Sequence, residues 1–226
     1  MKRLEIIVEG VTESDFVTQV LAPYLESLGL IEAYCVCPII IRTHPNHRGG
    51  MSKYTHLRSD ILSCLSSCDK DLTVSMMIDF FALPSNVPRP ENYNSLKTDY
   101  DKVKAIEQCI FDDIDDYRFI PYIQLHEFEA LLFASKVGFD YCYENDPRAV
   151  LLKKIVDSYD NPEEINTSPS GAPSKRILAI IPEYQKGYDG NVIMIENGID
   201  VVIAKCPGFR KWIKAIIEHL SQMNCE

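Results

Sequence analysis

Stretches that read as buried β-strand alternate along this chain with stretches that read as amphipathic helix, and that alternation narrows the fold more than any other feature. Leu4 to Val8 is an apolar run closed by Glu9-Gly10. Phe16, Val17, Val20, Leu21, Tyr24, Leu25 and Leu28 follow at helical spacing, with Thr12 predicted as the N-cap and a kink at Pro23. Tyr34 to Ile41 predicts a second strand, and Leu57, Ile61, Leu62 and Leu65 the next helix. Val74 to Ile78 predicts a third strand, ending at Asp79. A proline-bearing loop (Pro84, Pro88, Pro90) then leads to a helix that uses Val103, Ile106, Ile110 and Phe111. Phe119 to Leu125 is predicted as a fourth strand, running into His126-Glu127-Phe128-Glu129 and a short helix. Further helices are predicted from Ser174 and from Phe209 to Leu220. Strand and helix in turn imply an α/β fold, a mostly parallel sheet with helices on both faces. The polar stretch 140–171 is predicted as a loop-rich elaboration of one domain spanning 1–226.

Composition bounds the compartment and the partners. No apolar run reaches the roughly 20 residues that a membrane helix requires. Glu5 and Glu9 interrupt the first apolar stretch, so it reads as a strand and not as a signal peptide. The expectation is a cytoplasmic chain with no membrane partner. Its eight cysteines are then expected as reduced thiols. Cys35 with Cys37, and Cys64 with Cys68, have spacings that a zinc site or plain buried cysteine would both satisfy. A formal charge of −10 argues against non-specific nucleic-acid binding by the whole surface. From Arg42 to Arg58, however, there is no acid, and Arg42, His44, His47, Arg48, Lys53, His56 and Arg58 all fall there. A solvated loop and a phosphate-contacting strip both fit this segment, because the sequence alone does not place it relative to the acids.

In open parallel sheets, ligands gather at the carboxyl ends of the strands. Three of the four predicted strands end in acids: Glu9, Asp79, and Glu127 with Glu129. Capping or a surface position explains any one of them, but three from separate parts of the chain are harder to explain that way. Converging carboxylates repel, and a hard divalent cation is the natural remedy, with oxygen donors suiting magnesium or manganese. Glu13 either points back to the same ion or is a first-turn acid favoured by the helix dipole. His126 either orients a water or phosphate, or is structural. Glu127 is expected as the inward ligand and Glu129 as its support. If the strand continues past His126 the two share a side; if a helix starts there they diverge by about 200°. Ser174-Lys175-Arg176, after Ala172-Pro173, makes either an anion site at a helix mouth or a solvated helix start. No Gly-rich nucleotide loop, nucleophile elbow or paired-histidine zinc motif is present, and Gly49-Gly50 alone says little.

LEIIVEGVTE (4–13), IDFFAL (78–83), FIPYIQLHEFEALLF (119–133), PEEIN (162–166), PSKR (173–176) and CPGFRKW (206–212) together resemble the bacterial domain-of-unknown-function family numbered 4276. The resemblance spans nearly the whole chain, and HEFEALLF is its most specific part. That family is similar to Toprim domains, especially those of the OLD (overcoming lysogenization defect) nucleases. The resemblance implies a Toprim-like fold, magnesium-dependent phosphodiester chemistry, and a place beside an ATPase in phage-defence loci. By position it makes Glu9 the glutamate closing the first Toprim strand, Glu13 the second acid, Asp79 the first aspartate of Asp-x-Asp, and Lys175 the late lysine. Phe81 stands where the second aspartate belongs, so Glu127 or Glu129 must substitute or the site is degenerate.

The expectation is a metal-dependent nuclease in which Glu9, Asp79, Glu127 and Lys175 carry the chemistry. Glu9, Glu13, Asp79, Glu127 and Glu129 would hold Mg²⁺ or Mn²⁺. Arg42, His44, His47, Arg48, Lys53, His126 and Arg176 would contact nucleic acid, DNA ahead of RNA, with an ATPase as partner protein. The alternative is a non-catalytic Toprim-like binding or regulatory subunit.

Overall fold

The computed structural model describes residues 1–44, 47–81, 83–165 and 171–223. Ala82 of the IDFFAL segment, Asn166 of PEEIN and residues 167–170 of the predicted elaboration lie outside the described residues. Strand β1 (Arg3–Val8) pairs in parallel on one side with β2 (Val36–Ile40) and on the other with β5 (Leu72–Asp79). Two short strands, β6 (Phe119–Ile120) and β7 (Ile123–Gln124), both pair in parallel with β5. A separate antiparallel ribbon joins β3 (Arg42–His44) to β4 (His47–Arg48). The order β2-β1-β5-β6 reverses direction at β1, so the chain leaves β1 to one side and returns on the other. A crevice at the carboxyl ends of the strands belongs at such a reversal.

The alternation of side chains along each strand divides the interior in two. Leu4, Ile6 and Val8 of β1 and Met77 of β5 pack into one core. It is shared with α1 (Val11–Phe16), α2 (Ala22–Ser27), the 3₁₀ helix Phe128–Ala134 and the carboxy-terminal helices. Those helices are α5 (Val137–Cys142), α6 (Ala149–Ser158), α7 (Pro173–Ile180), α8 (Lys186–Asn197), α9 (Ile199–Lys205) and α10 (Pro207–Gln222). Ile7 of β1 and Leu72, Val74, Met76 and Ile78 of β5 face the other way, onto α3 (Tyr54–Leu65) and α4 (Asp99–Ile114). The expected α/β fold, a mostly parallel sheet covered on both faces, is therefore the one observed.

Local physics moves several boundaries. The first helix begins at Val11 with Gly10 as its N-cap, not Thr12, because the chain leaves β1 extended through Gly10 and turns at once. The kink expected at Pro23 is instead a widened π turn over Val17–Leu21, in which the Ala22 N–H reaches back five residues to the Val17 carbonyl. Pro23 has no N–H to donate, and re-registering the turn ahead of it keeps the helix running. The predicted fourth strand is broken at Pro121-Tyr122, where proline cannot donate to the ladder. Its register stays in step, Val74 opposite Phe119 and Ile78 opposite Ile123. The 140–171 elaboration carries α6 and a 3₁₀ turn at Pro162–Glu164, so it is more helical than its polar composition implies. Gly138 of α5 lies against α8 so closely that a Cβ there would sit 2.4 Å from the Ile193 carbonyl oxygen.

Candidate functional site

β1 and β5 are neighbours, so Glu9, immediately after β1, and Asp79, the last residue of β5, meet at the reversal point of the sheet. The Asp79 N–H donates to Glu9 Oε2 at 3.5 Å, and the Met51 N–H to Glu9 Oε1 at 3.3 Å. Asp79 Oδ1 accepts the Phe128 N–H at 3.0 Å, which ties β5 to the 3₁₀ helix. That helix is set by His126, whose φ of +71° is left-handed and whose carbonyl accepts the Phe81 N–H at 2.9 Å. A histidine held there stops the strand, which is a strained conformation for a residue bearing a side chain. Neither expected course of the chain past His126 is followed. Glu127 is extended and caps the 3₁₀ helix, and Glu129 lies inside its first turn.

Five carboxylates are gathered by this arrangement. Loss of solvent, then repulsion from Glu13, Glu9, Glu129 and Glu127, holds Asp79 well above the usual carboxylate range. Glu13 is pushed up to about 7, chiefly by desolvation and also by Glu129 and Glu9. Glu129, only 2% exposed, is likewise raised by desolvation, against which a neighbouring ammonium acts. Protein donors occupy several of these oxygens. Glu127 Oε2 accepts the Ser174 N–H of α7 at 3.1 Å, and Glu129 Oε1 pairs with Lys186 Nζ at 2.9 Å. As they stand, no three acids, histidines or cysteines among the described residues close around a common point in metal-holding geometry. The donor set itself is all carboxylate oxygen, the chemistry a hard divalent cation requires, and its mutual repulsion is what such a cation would relieve.

The basic segment is the ribbon β3–β4, and it roots on Glu9. The Gly50 N–H donates to the Glu9 carbonyl at 3.1 Å, beside the Met51 contact, and the Ile41 N–H to the Val8 carbonyl at 3.0 Å. Arg42, His44, His47, Arg48 and Lys53 are exposed there. Arg58 turns away, to Asp113 at 2.8 Å. The mouth of α7, read as an anion site, receives the protein's own Glu127 through the Ser174 N–H. Lys175 is exposed one residue further on, while Arg176 donates to the Gly171 carbonyl at 2.7 Å and stands 5.8 Å over the Tyr159 ring. His126 is buried and its pKa lowered by desolvation.

Lys186 is the residue that sequence reasoning missed. It opens α8, whose Lys-Gly-Tyr-Asp-Gly start reads as a turn, and its charge interacts with Glu129, Glu127 and Asp79. The apolar spacing of Ile193 and Met194 behind it was the available signal.

Comparison with known proteins bears on the fold. The C-terminal region of the Burkholderia pseudomallei OLD protein is 16% identical, with 99% of this chain and 98% of that one covered and a TM-score of 0.52. The C-terminal region of the Xanthomonas campestris pv. campestris OLD protein, solved with mercury, is 17% identical over 99% and 96%, with a TM-score of 0.46. A search of curated proteins finds no match. The family model described as Domain of unknown function (DUF4276) matches residues 8–217, and the chain belongs to that family.

Proposed function

We propose that this chain is a metal-dependent, nuclease-like protein that hydrolyses nucleic-acid phosphodiesters. The observation that carries the reading is Asp79, a buried strand-end carboxylate whose N–H meets Glu9 and which is held above the usual range first by loss of solvent and then by repulsion from four other carboxylates. Glu9, Asp79 and Glu127 would hold Mg²⁺ or Mn²⁺, with Glu13 and Glu129 beside them. Such an ion, when bound, polarises the phosphodiester and makes its water a stronger nucleophile. Glu13, titrating near neutrality, can hold or release a proton at its carboxylate. Lys186, and Lys175 at the mouth of α7, supply cations toward a phosphate brought to the acids. The exposed ribbon residues Arg42, Arg48 and Lys53 would take adjacent phosphates of DNA or RNA. The family resemblance adds an ATPase partner and a phage-defence setting to the proposal.

The test is cleavage of labelled DNA and RNA with Mg²⁺ and with Mn²⁺, comparing the intact chain with Glu9→Gln, Asp79→Asn and Lys186→Ala. The two carboxylate variants should lose at least about a hundredfold in rate, the scale on which removal of a single polar catalytic contact is felt. Lack of any divalent-ion affinity in the intact chain would defeat the reading. A non-catalytic, regulatory Toprim-like subunit is the second reading. It is favoured by Phe81, which stands two residues after Asp79 and offers no ligand.

A further inference from the structure

The ribbon β3–β4, anchored on α3 where the Arg42 N–H donates to Asp60 Oδ2 at 2.8 Å, opposes like charges across its strands. Arg42 lies directly opposite Arg48 across its two strands, and His44 opposite His47. Like charges directly opposed on one ribbon destabilise it, and an isolated two-stranded ribbon is marginal in water to begin with. Its root, however, is shared with the acid cluster. The Gly49 N–H closes on the Ile41 carbonyl at 2.9 Å, the Gly50 N–H on the Glu9 carbonyl at 3.1 Å, and the Met51 N–H on Glu9 Oε1 at 3.3 Å. Gly49 and Gly50 are both left-handed, with φ of +95° and +67°, and a Cβ on Gly49 would lie 3.4 Å from the Glu9 carbonyl oxygen. The turn that carries the ribbon therefore also positions the carboxylate of Glu9.

We propose that the ribbon couples phosphate binding to ion binding: a polyanion bridging Arg42 and Arg48 orders the ribbon, and the ordered root fixes Glu9 for the cation. This rests on the metal reading above and adds its regulation, with a nucleic-acid backbone as the activating ligand. On this proposal, repulsion between Arg42 and Arg48 weakens the ribbon when no phosphate is bound, and with it the hold of the Met51 N–H on Glu9. Phosphates placed across the opposed arginines remove that repulsion. Because coupling between two sites is reciprocal, the ion must tighten nucleic-acid binding by the same factor.

Mn²⁺ affinity is measured at constant ionic strength with the full chain, alone and with a nuclease-resistant phosphorothioate DNA duplex. In the wild type the duplex should raise the affinity roughly five- to twentyfold, within the usual range of coupling between sites. Arg48→Glu replaces the like-charged pair by an opposite one. It should therefore raise Mn²⁺ affinity without any DNA, by a similar factor, and abolish the further response to the duplex. Gly49→Ala, strained at the root, should retain duplex binding but lose the coupling. If the duplex strengthens wild-type Mn²⁺ binding while Arg48→Glu alone does not, the phosphate acts as a direct ligand and the coupling role of the ribbon is overturned. Glu9-dependent Mn²⁺ binding that ignores the duplex overturns the coupling and spares the metal site. Absence of Glu9-dependent binding in every arm removes both.

Discussion

Glu107 shows at the scale of one residue what burial does to a carboxyl with no close cation. Its Oε1 accepts the Ile123 N–H at 2.9 Å, Lys211 approaches only to 3.9 Å, and burial pushes its pKa up to about 7. An unfolded glutamate ionises near 4.3. Between that value and about 7 the folded chain keeps a proton that the unfolded chain has released. Stability from this group is thus full below the unfolded pKa and falls as pH rises through the window, by at most about 4 kcal/mol. Glu107→Gln keeps an acceptor for Ile123 and removes the titration. Its urea stability should match that of the wild type at about pH 4.5 and exceed it at pH 8; an equal gap at both pH values would rule the account out. Glu129 is the contrasting case, more deeply buried but faced by Lys186 at 2.9 Å. Residue type and position at a strand end made Glu9 and Asp79 legible in the sequence. Lys186 was not legible, because its role depends on where α8 docks.

At the scale of elements, two of the family segments find their explanation away from the acids. Glu163 of PEEIN, 1% exposed, accepts the Gly208 N–H at 2.8 Å and the Phe209 N–H at 2.9 Å, so it caps α10 of the CPGFRKW segment from outside. Trp212 of that segment stacks on Tyr122 at 4.5 Å and donates its indole N–H to Ser75 Oγ of β5 at 2.9 Å. Glu163→Ala would leave two helix N–H groups unpaired, one buried and one part-buried, and should cost about 2 to 4 kcal/mol in thermal or denaturant unfolding, a loss per orphaned donor of about 1 to 2. Near-wild-type stability would mean water replaces the carboxylate at no cost. Strands β1 and β5 were legible because most of their residues are buried on both faces and apolar residues dominate them, Leu4, Ile6, Ile7 and Val8 in one and Val74, Met76, Met77 and Ile78 in the other. The broken strand at Pro121 and the helices α8 and α9 were not. Pro121 keeps register while losing its hydrogen bond, and α8 opens with two glycines that resemble a turn. Likewise, the sequence showed the basic segment of Arg42 to Arg58 but not its place beside the acids, which comes from hydrogen bonds between backbone groups remote in sequence.

At the scale of the whole molecule, charge opposes the activity proposed for it. A net −10 repels nucleic acid, and the acid cluster adds its own negative field at the place where a phosphodiester would have to lie. None of the helices among the described residues is long and apolar enough to cross a membrane. The exposed cations Arg42, Arg48 and Lys53 counter it along the ribbon edge, and Lys186 counters it at Glu129. An isolated chain should therefore bind DNA weakly, and a partner with a basic DNA-binding surface would raise the local substrate concentration and remove the obstacle. The expected outcome is low cleavage by the purified chain at physiological salt and a marked gain on adding an ATPase of the kind proposed above as partner. Each ribbon cation that meets a phosphate should contribute about 0.9 to the slope of log affinity against log salt. Arg48→Glu combined with Lys53→Glu should thus flatten that slope by about 2 and weaken binding, in the chain alone and in the complex. Fluorescence anisotropy over a salt series reads both numbers. Efficient cleavage by the isolated chain at physiological salt, with rate and slope untouched by the two reversals, would show that nucleic acid reaches the acids by a route that avoids the ribbon.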